Sequence, residues 1–283
     1  MKESEVIDLA NKAGYKVISV EPIVQEASKR QYYRIYTSED ADLELEDRWN
    51  NPKIFILCYL DPQIGSHDKT VAINNDLIKD EPFGLAPKIL FHDQELGITI
   101  QEDIGGECLY DLYERFGPPE SEHYHEDSYY SALEIALDLL DQIHRKKILN
   151  LKKIQNKDLI NQMKTFKSIY LQSFLCISPF EIALQRENLQ SLIDETINSL
   201  ELQPLVNCHT DFEGRNILIE PDFDWDHMYV IDYQDMCNGP VGIDLAGVIF
   251  DHYFSKDFNI DKIKECLAST FEYSNIHAYE FDD

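Results

Sequence analysis

The chain changes texture once, and that switch limits its fold more than any other feature. Up to about residue 102 the apolar residues come in short runs between polar and turn residues; beyond it they recur at helical spacing. After a charged first helix in Met1–Gly14, the segments Tyr15–Val24 and Gln31–Thr37 are rich in Val, Ile and Tyr and read as strands. Ile54–Leu60 is a third strand, a helix follows around Asp68–Ile78, and Pro87–Phe91 with Gly97–Gln101 bracket His92–Leu96 as a hairpin. Farther on, Ala132, Ile135, Ala136, Leu139, Leu140 and Ile143 fall at i, i+3, i+4, i+7 spacing and mark one buried helical face. Asp158–Leu175, Glu187–Leu200, Gly242–Phe254 and Ile260–Phe271 are further helices. The expectation is an α+β fold of two lobes: a five-stranded antiparallel sheet with one helix over 1–103, then a mainly helical lobe over 104–283.

Composition narrows the partners. With 43% apolar residues, including 14 Phe and 16 Tyr, the 283-residue chain can build a substantial core. Its net charge of −28 disfavours nucleic acid and anionic membranes, neither of which such a surface attracts. The densest acidic stretch, Ser38–Asp47, reads as a solvated loop. No signal peptide is visible and no apolar run reaches a membrane span, so a cytoplasmic location is expected. The cysteines at 58, 108, 176, 208, 237 and 266 form no C-x-x-C pair, and the expectation is reduced thiols. His123 and His125 sit two apart without a third ligand, which reads as a solvated segment.

The chemistry is concentrated near the C-terminal end. His209, Asp211 and Asn216 keep the H-x-D-x-x-x-x-N spacing of a kinase catalytic loop, and Asp232 ends a second apolar run. Phosphoryl transfer from ATP needs a carboxylate to orient the attacking hydroxyl, and an amide with a second carboxylate to hold Mg2+ against the phosphates. Asp211 is the candidate for the first task, Asn216 and Asp232 for the second. His209 reads as a brace for the loop rather than an acid or base, and Asp244 as a helix N-cap or a second brace. Between the first two strands, Ser28, Lys29 and Arg30 are placed to meet phosphates through hydroxyl, backbone N–H and charge. Glu102 and Asp103, with the following Ile-Gly-Gly, suit a hinge whose backbone pairs with an adenine edge; a plain linker is the competing reading.

These residues resemble the aminoglycoside phosphotransferase and choline kinase group. Within it they are most similar to bacterial kinases acting on the anomeric hydroxyl of N-acetylmuramate and N-acetylglucosamine in cell-wall recycling. That branch carries H-R-D-(F/Y)-H-S-R-N, (I/L)-D-F-Q-D and G-P-x-x-x-D-L-A. Here the segments are His209-Thr-Asp-Phe-Glu-Gly-Arg-Asn216, Ile231-Asp-Tyr-Gln-Asp235 and Gly239-Pro-Val-Gly-Ile-Asp-Leu-Ala246. Ala27-Ser-Lys-Arg-Gln-Tyr-Tyr-Arg34 resembles the branch's A-S-x-R-x-(F/Y)-x-R. The resemblance implies a kinase-like fold, Mg-ATP, an alcohol acceptor and a sugar 1-phosphate product. Three departures stand out. Cys58 or Tyr59 falls where kinases place a third-strand lysine; Glu213 replaces a histidine and would repel the γ-phosphate unless Arg215 or a metal offsets it; and the chain stops at Asp283 where the branch continues, as a shortened member would. An aminoglycoside, choline or another alcohol as acceptor, and a non-catalytic nucleotide-binding scaffold, remain the alternatives.

Overall fold

The computed structural model describes residues 1–23, 29–38, 54–79, 84–105, 107–116, 126–220, 227–250 and 259–272. The first hundred residues build one sheet. β1 (Val17–Ile23), β2 (Gln31–Thr37), β3 (Ile54–Tyr59), β4 (Ile89–Asp93) and β5 (Ile98–Glu102) pair antiparallel in the order β1-β2-β3-β5-β4. Side chains alternate across a strand, so β2 sends Tyr33 and Ile35 to one face. There they pack with Phe55, Leu57, Ile98 and Ile100 beneath Val6 and Ala10 of helix α1 (Glu3–Lys12). Each such burial stabilises by roughly 1.5–3 kcal/mol relative to exposure. The hairpin strand begins at Ile89 rather than Pro87, because the Pro87 carbonyl accepts from the Asn74 side chain and proline has no N–H for the ladder.

Helix α2 (Asp68–Leu77) connects the sheet to the helical portion of the chain. Its Ile73 and Leu77 belong to the second core, together with Leu85 and Ala86. Between them Asn74, fully buried, donates to the Pro87 carbonyl (2.8 Å) and the Tyr233 hydroxyl (2.8 Å), and accepts from the Ile89 N–H (2.9 Å). One amide thus ties the helix, the fourth strand and a turn more than 150 residues away, since Asn74 and Tyr233 are 159 apart.

The remainder is mainly helical: α3 (Leu109–Phe116), α4 (Glu126–Arg145), α5 (Asn156–Thr165), a π-helical stretch (Phe166–Phe174), α6 (Pro179–Leu184), α7 (Arg186–Leu202), α8 (Gly242–Ile249) and α9 (Ile260–Glu272). The expected apolar face of α4 is its buried face, with Ala132, Ala136, Leu140 and Ile143 sealed from solvent. A single helix over 158–175 is not what forms. Thr165 and Ser168 donate their hydroxyls to the Asn161 and Lys164 carbonyls, a competition that favours the wider π turn. α8 ends at Ile249 rather than Phe254; residues 251–258, like Ser38–Asp47 beyond Ser38 and His123–His125, lie outside the described residues. The short β6 (Glu107–Cys108) and α3 escaped the sequence pattern, being too brief for a period to register.

Two small ribbons sit within this portion. β7 (Leu205–Cys208) pairs with β10 (Cys237–Pro240), and β8 (Ile217–Ile219) lies between β6 and β9 (Met228–Val230). Among the described residues no helix is long and apolar enough to cross a membrane. Replacing Asn74 by Ala should lower stability by about 2–4 kcal/mol in chemical denaturation, because it strands buried partners on three elements; a loss below about half a kcal/mol would show that water satisfies them instead.

Candidate active site

β7 runs out at Cys208, and the chain then turns sharply. Thr210 takes a left-handed conformation (φ 75°), costly for a β-branched residue unless its surroundings hold it. Asp244 holds it. This carboxylate, fully buried on α8, accepts the His209 N–H (2.7 Å) and the Thr210 N–H (2.8 Å). It also accepts from the Cys208 thiol (3.3 Å) and from His144 Nε2 at the end of α4 (3.2 Å). Burial alone would push its carboxyl up, but the His144 hydrogen bond and charge and the His209 N–H outweigh that and hold it below the usual range. Asp244 lies within the first turn of α8, not at its N-cap, Val241. Close approach of α8 to the loop depends on Gly247, where a Cβ would come within 2.7 Å of the Phe212 carbonyl oxygen.

His209 is sealed from solvent, with Nε2 donating to the Ile231 carbonyl at 3.0 Å. Burial lowers its pKa, so the ring is neutral and carries its proton on Nε2. It therefore stands as a strut between two loops. Ile231 is grasped a second time, its N–H donating to the Asn216 carbonyl at 2.9 Å. One residue later Asp232 turns left-handed (φ 63°), its Oδ1 accepting from Gln234 Nε2 at 2.6 Å. Asn216, at the end of the single turn Gly214–Asn216, donates its amide to the Asp211 carbonyl (2.9 Å) and carboxylate (3.1 Å). Asp211, Asn216 and Asp232 are thus brought onto one rim through Ile231.

The other predicted positions are arranged as follows. Arg215 places its guanidinium 4.8 Å from the Tyr110 ring centroid, and Glu213 shares the loop, its N–H donating to the Asp211 carbonyl at 3.1 Å. Lys29 is exposed, Arg30 donates to the Thr70 hydroxyl on α2 (3.4 Å), and Ser28 lies outside the described residues. Glu102 gives its N–H to the Lys88 carbonyl, while Asp103 pairs with Arg34 (Nε–Oδ2 2.5 Å) and accepts the Gly105 N–H. The side chain of Asp103 is therefore committed to the bend itself. A cavity of 540 Å3 between Leu171–Ile177 and Glu181–Leu189 contains none of these residues. His144, Asn74 and the Ile231 backbone are the participants that sequence reasoning missed; no local pattern signals a contact made across 100 residues.

Among the described residues no three His, Cys, Asp or Glu side chains gather as a metal site. The donor set that does fit a metal is the amide oxygen of Asn216 with the carboxylate of Asp232, hard oxygens of the kind Mg2+ prefers. The Asn216 amide nitrogen is turned to Asp211.

Residues 81–265 match the phosphotransferase enzyme family, and the chain belongs to that family. By sequence, no curated protein matches it. Among solved structures, it is similar to the choline kinase LicA from Streptococcus pneumoniae (16% identity, 94% of this chain and 79% of that one, TM-score 0.55). It is likewise similar to a choline/ethanolamine kinase family protein from Mesorhizobium loti (14%, 95% and 74%, TM-score 0.60). The gentamicin complex of APH(2")-IIa gives 14% identity over 98% of this chain and 83% of that one, with TM-score 0.60. These likenesses show the two-lobe, kinase-like fold.

The Asp244 arrangement makes a pH-dependent prediction. A carboxyl held below its ordinary value of 3.8 in the fold contributes stability that is complete above 3.8 and is lost as pH falls through the lower folded value. Asp244→Asn should therefore cost about 3 kcal/mol near neutrality, and the deficit should shrink in thermal melts taken down to pH 3. An equal deficit at pH 7 and pH 3 would contradict the charge-based role.

Proposed function

With membership of a phosphotransferase family as premise, we propose that the chain is an ATP-dependent kinase for a small alcohol, acting on the anomeric hydroxyl of an N-acetyl amino sugar. The observation that carries the reading is the shared rim of Asp211, Asn216 and Asp232, fixed by both backbone groups of Ile231. A scaffold that only bound a partner would have no chemical use for that set.

The nucleotide would lie between residues 1–103 and 104–283, its adenine edge at the backbone after Glu102 and its phosphates toward Arg30 and Lys29. Glu102 could offer only its carbonyl, since its N–H is engaged by Lys88. Asn216 and Asp232 would hold Mg2+, which supplies charge neutralisation on the phosphate oxygens. Asp211 orients the acceptor hydroxyl. As its oxygen bonds to the γ-phosphorus and the bond to ADP breaks, the hydroxyl proton passes to the Asp211 carboxylate. His209, buried and neutral, keeps the two loops in register, and Asp244 keeps the turn before Asp211 in place.

The amino-sugar reading draws on Gln234 and Gly239-Pro240, which distinguish that branch; Gln234 meets the Asp232 carboxylate directly. One observation favours a cationic alcohol such as choline or an aminoglycoside. Glu213 adds a carboxylate to the Asp211 loop of a chain with net charge −28, which would draw a positive acceptor.

Turnover and binding separate the roles. Asp211→Asn should lower kcat by about 10²–10⁴-fold while the Kd for Mg-ATP stays near the wild-type value. Asp232→Ala should weaken Mg-ATP binding itself, read by calorimetry. Normal turnover by both variants with N-acetylglucosamine or N-acetylmuramate would refute the assignment.

A further inference from the structure

β3 carries no cation where kinases of this architecture place their phosphate-holding lysine. Tyr33, Ile35 and Leu57 face the core beneath α1, so alternation puts Tyr32, Arg34, Ile56 and Cys58 on the opposite face of the sheet. Cys58 is buried there, and burial first, over the bonds from Tyr32 and Thr99, pushes its thiol up to about 12. It is a neutral filler. Tyr59, beside it, packs against the α1 core.

Arg30 immediately precedes β2, two residues before Tyr32 of that opposite face. Arg34, at one end, is engaged by Asp103. Arg30, at the other, donates to the Thr70 hydroxyl on α2. Thr70 and Asn74 lie four apart and so share a helical face. Asn74 in turn holds the Tyr233 hydroxyl, next to Asp232, and Lys69 donates to the Met236 carbonyl at the far side of the same turn (3.3 Å). The guanidinium is therefore carried toward the Asp232 turn. Tyr32 and Cys58 each feel both its positive charge and the negative charge of Asp232, which places the two within electrostatic reach of the same small volume.

We infer that Arg30 takes over the work of the absent third-strand lysine, binding the α- and β-phosphates of the nucleotide from the position just before β2, with Thr70 steering its side chain. The inference rests on the kinase reading and deepens it. A planar guanidinium with several donors suits two phosphates at once, and its entry from the residue before β2 explains why β3 can be neutral at this point.

The test compares ligands with and without a diphosphate. In Arg30→Gln, the Kd for Mg-ADP should rise about tenfold or more, while adenosine binding, followed by ligand-observed NMR, and the melting temperature stay at wild-type values. Should that variant fail to fold, Arg30→Lys serves, with a smaller loss of Mg-ADP affinity and again no change for adenosine. Mg-ADP affinity unchanged by the substitution, with the wild type binding normally, overturns the role of Arg30 alone. An equal loss for adenosine and Mg-ADP also overturns it, since the residue would then shape the cleft rather than hold phosphate. A wild-type protein that binds neither Mg-ADP nor Mg-ATP overturns the kinase reading, and this inference with it.

Discussion

The buried carboxylate of Asp244 is the interaction on which the rest of the site depends. Removing a charge from water costs several kcal/mol unless it is met by close donors. Asp244 has four: two backbone N–H groups, a thiol and an imidazole. These donors come from the end of β7, the loop after it and the end of α4, so the charge is tolerable only while α4, α8 and the loop are assembled together. Asn207 strengthens the same joint by donating to the Ile143 carbonyl at the C-terminal end of α4. The left-handed Thr210 is the local strain this assembly sustains, and it is what turns Asp211 outward.

From that anchor, order passes outward by short links. Asp244 sets His209, His209 sets the Ile231 carbonyl, and Ile231 sets both Asn216 and the left-handed Asp232. The groups suited to phosphoryl transfer lie on an open rim, yet each is tied to a buried partner within a residue or two. α2 then relates this rim to the sheet through Asn74 and Tyr233, and Arg30 reaches the same helix through Thr70. Preorganisation of this kind keeps the reacting groups from having to be ordered when substrate arrives.

Much of this was legible in the sequence. Strands β2 and β3 are short apolar runs bounded by polar residues, and the stripe on α4 declares its buried face because helical spacing leaves no other way to hide it. The spacing of His209, Asp211, Asn216 and Asp232 marks positions that lie close together because the β8–β9 pairing between Asn216 and Asp232 is local. What stayed hidden is non-local. His144 gives no sign that it meets Asp244, Asn74 looks like any polar helical residue, and the competing hydroxyls that turn 166–174 into a π-helix act through geometry alone. The pairing of Arg34 with Asp103 joins β2 to the residue that follows β5 and shows only once the strands are registered.

The central claim is that the rim built on Asp211, Asn216 and Asp232 moves the terminal phosphoryl group of ATP to a small alcohol. The most direct test supplies the wild-type protein with γ-labelled ATP, Mg2+ and a mixed panel of N-acetyl amino sugars, aminoglycosides and choline, and follows the label. The expected result is label on a small-molecule alcohol, with the amino sugars yielding an acid-labile anomeric phosphate. Label that stays in ATP, or leaves only as inorganic phosphate whatever the acceptor, would contradict it.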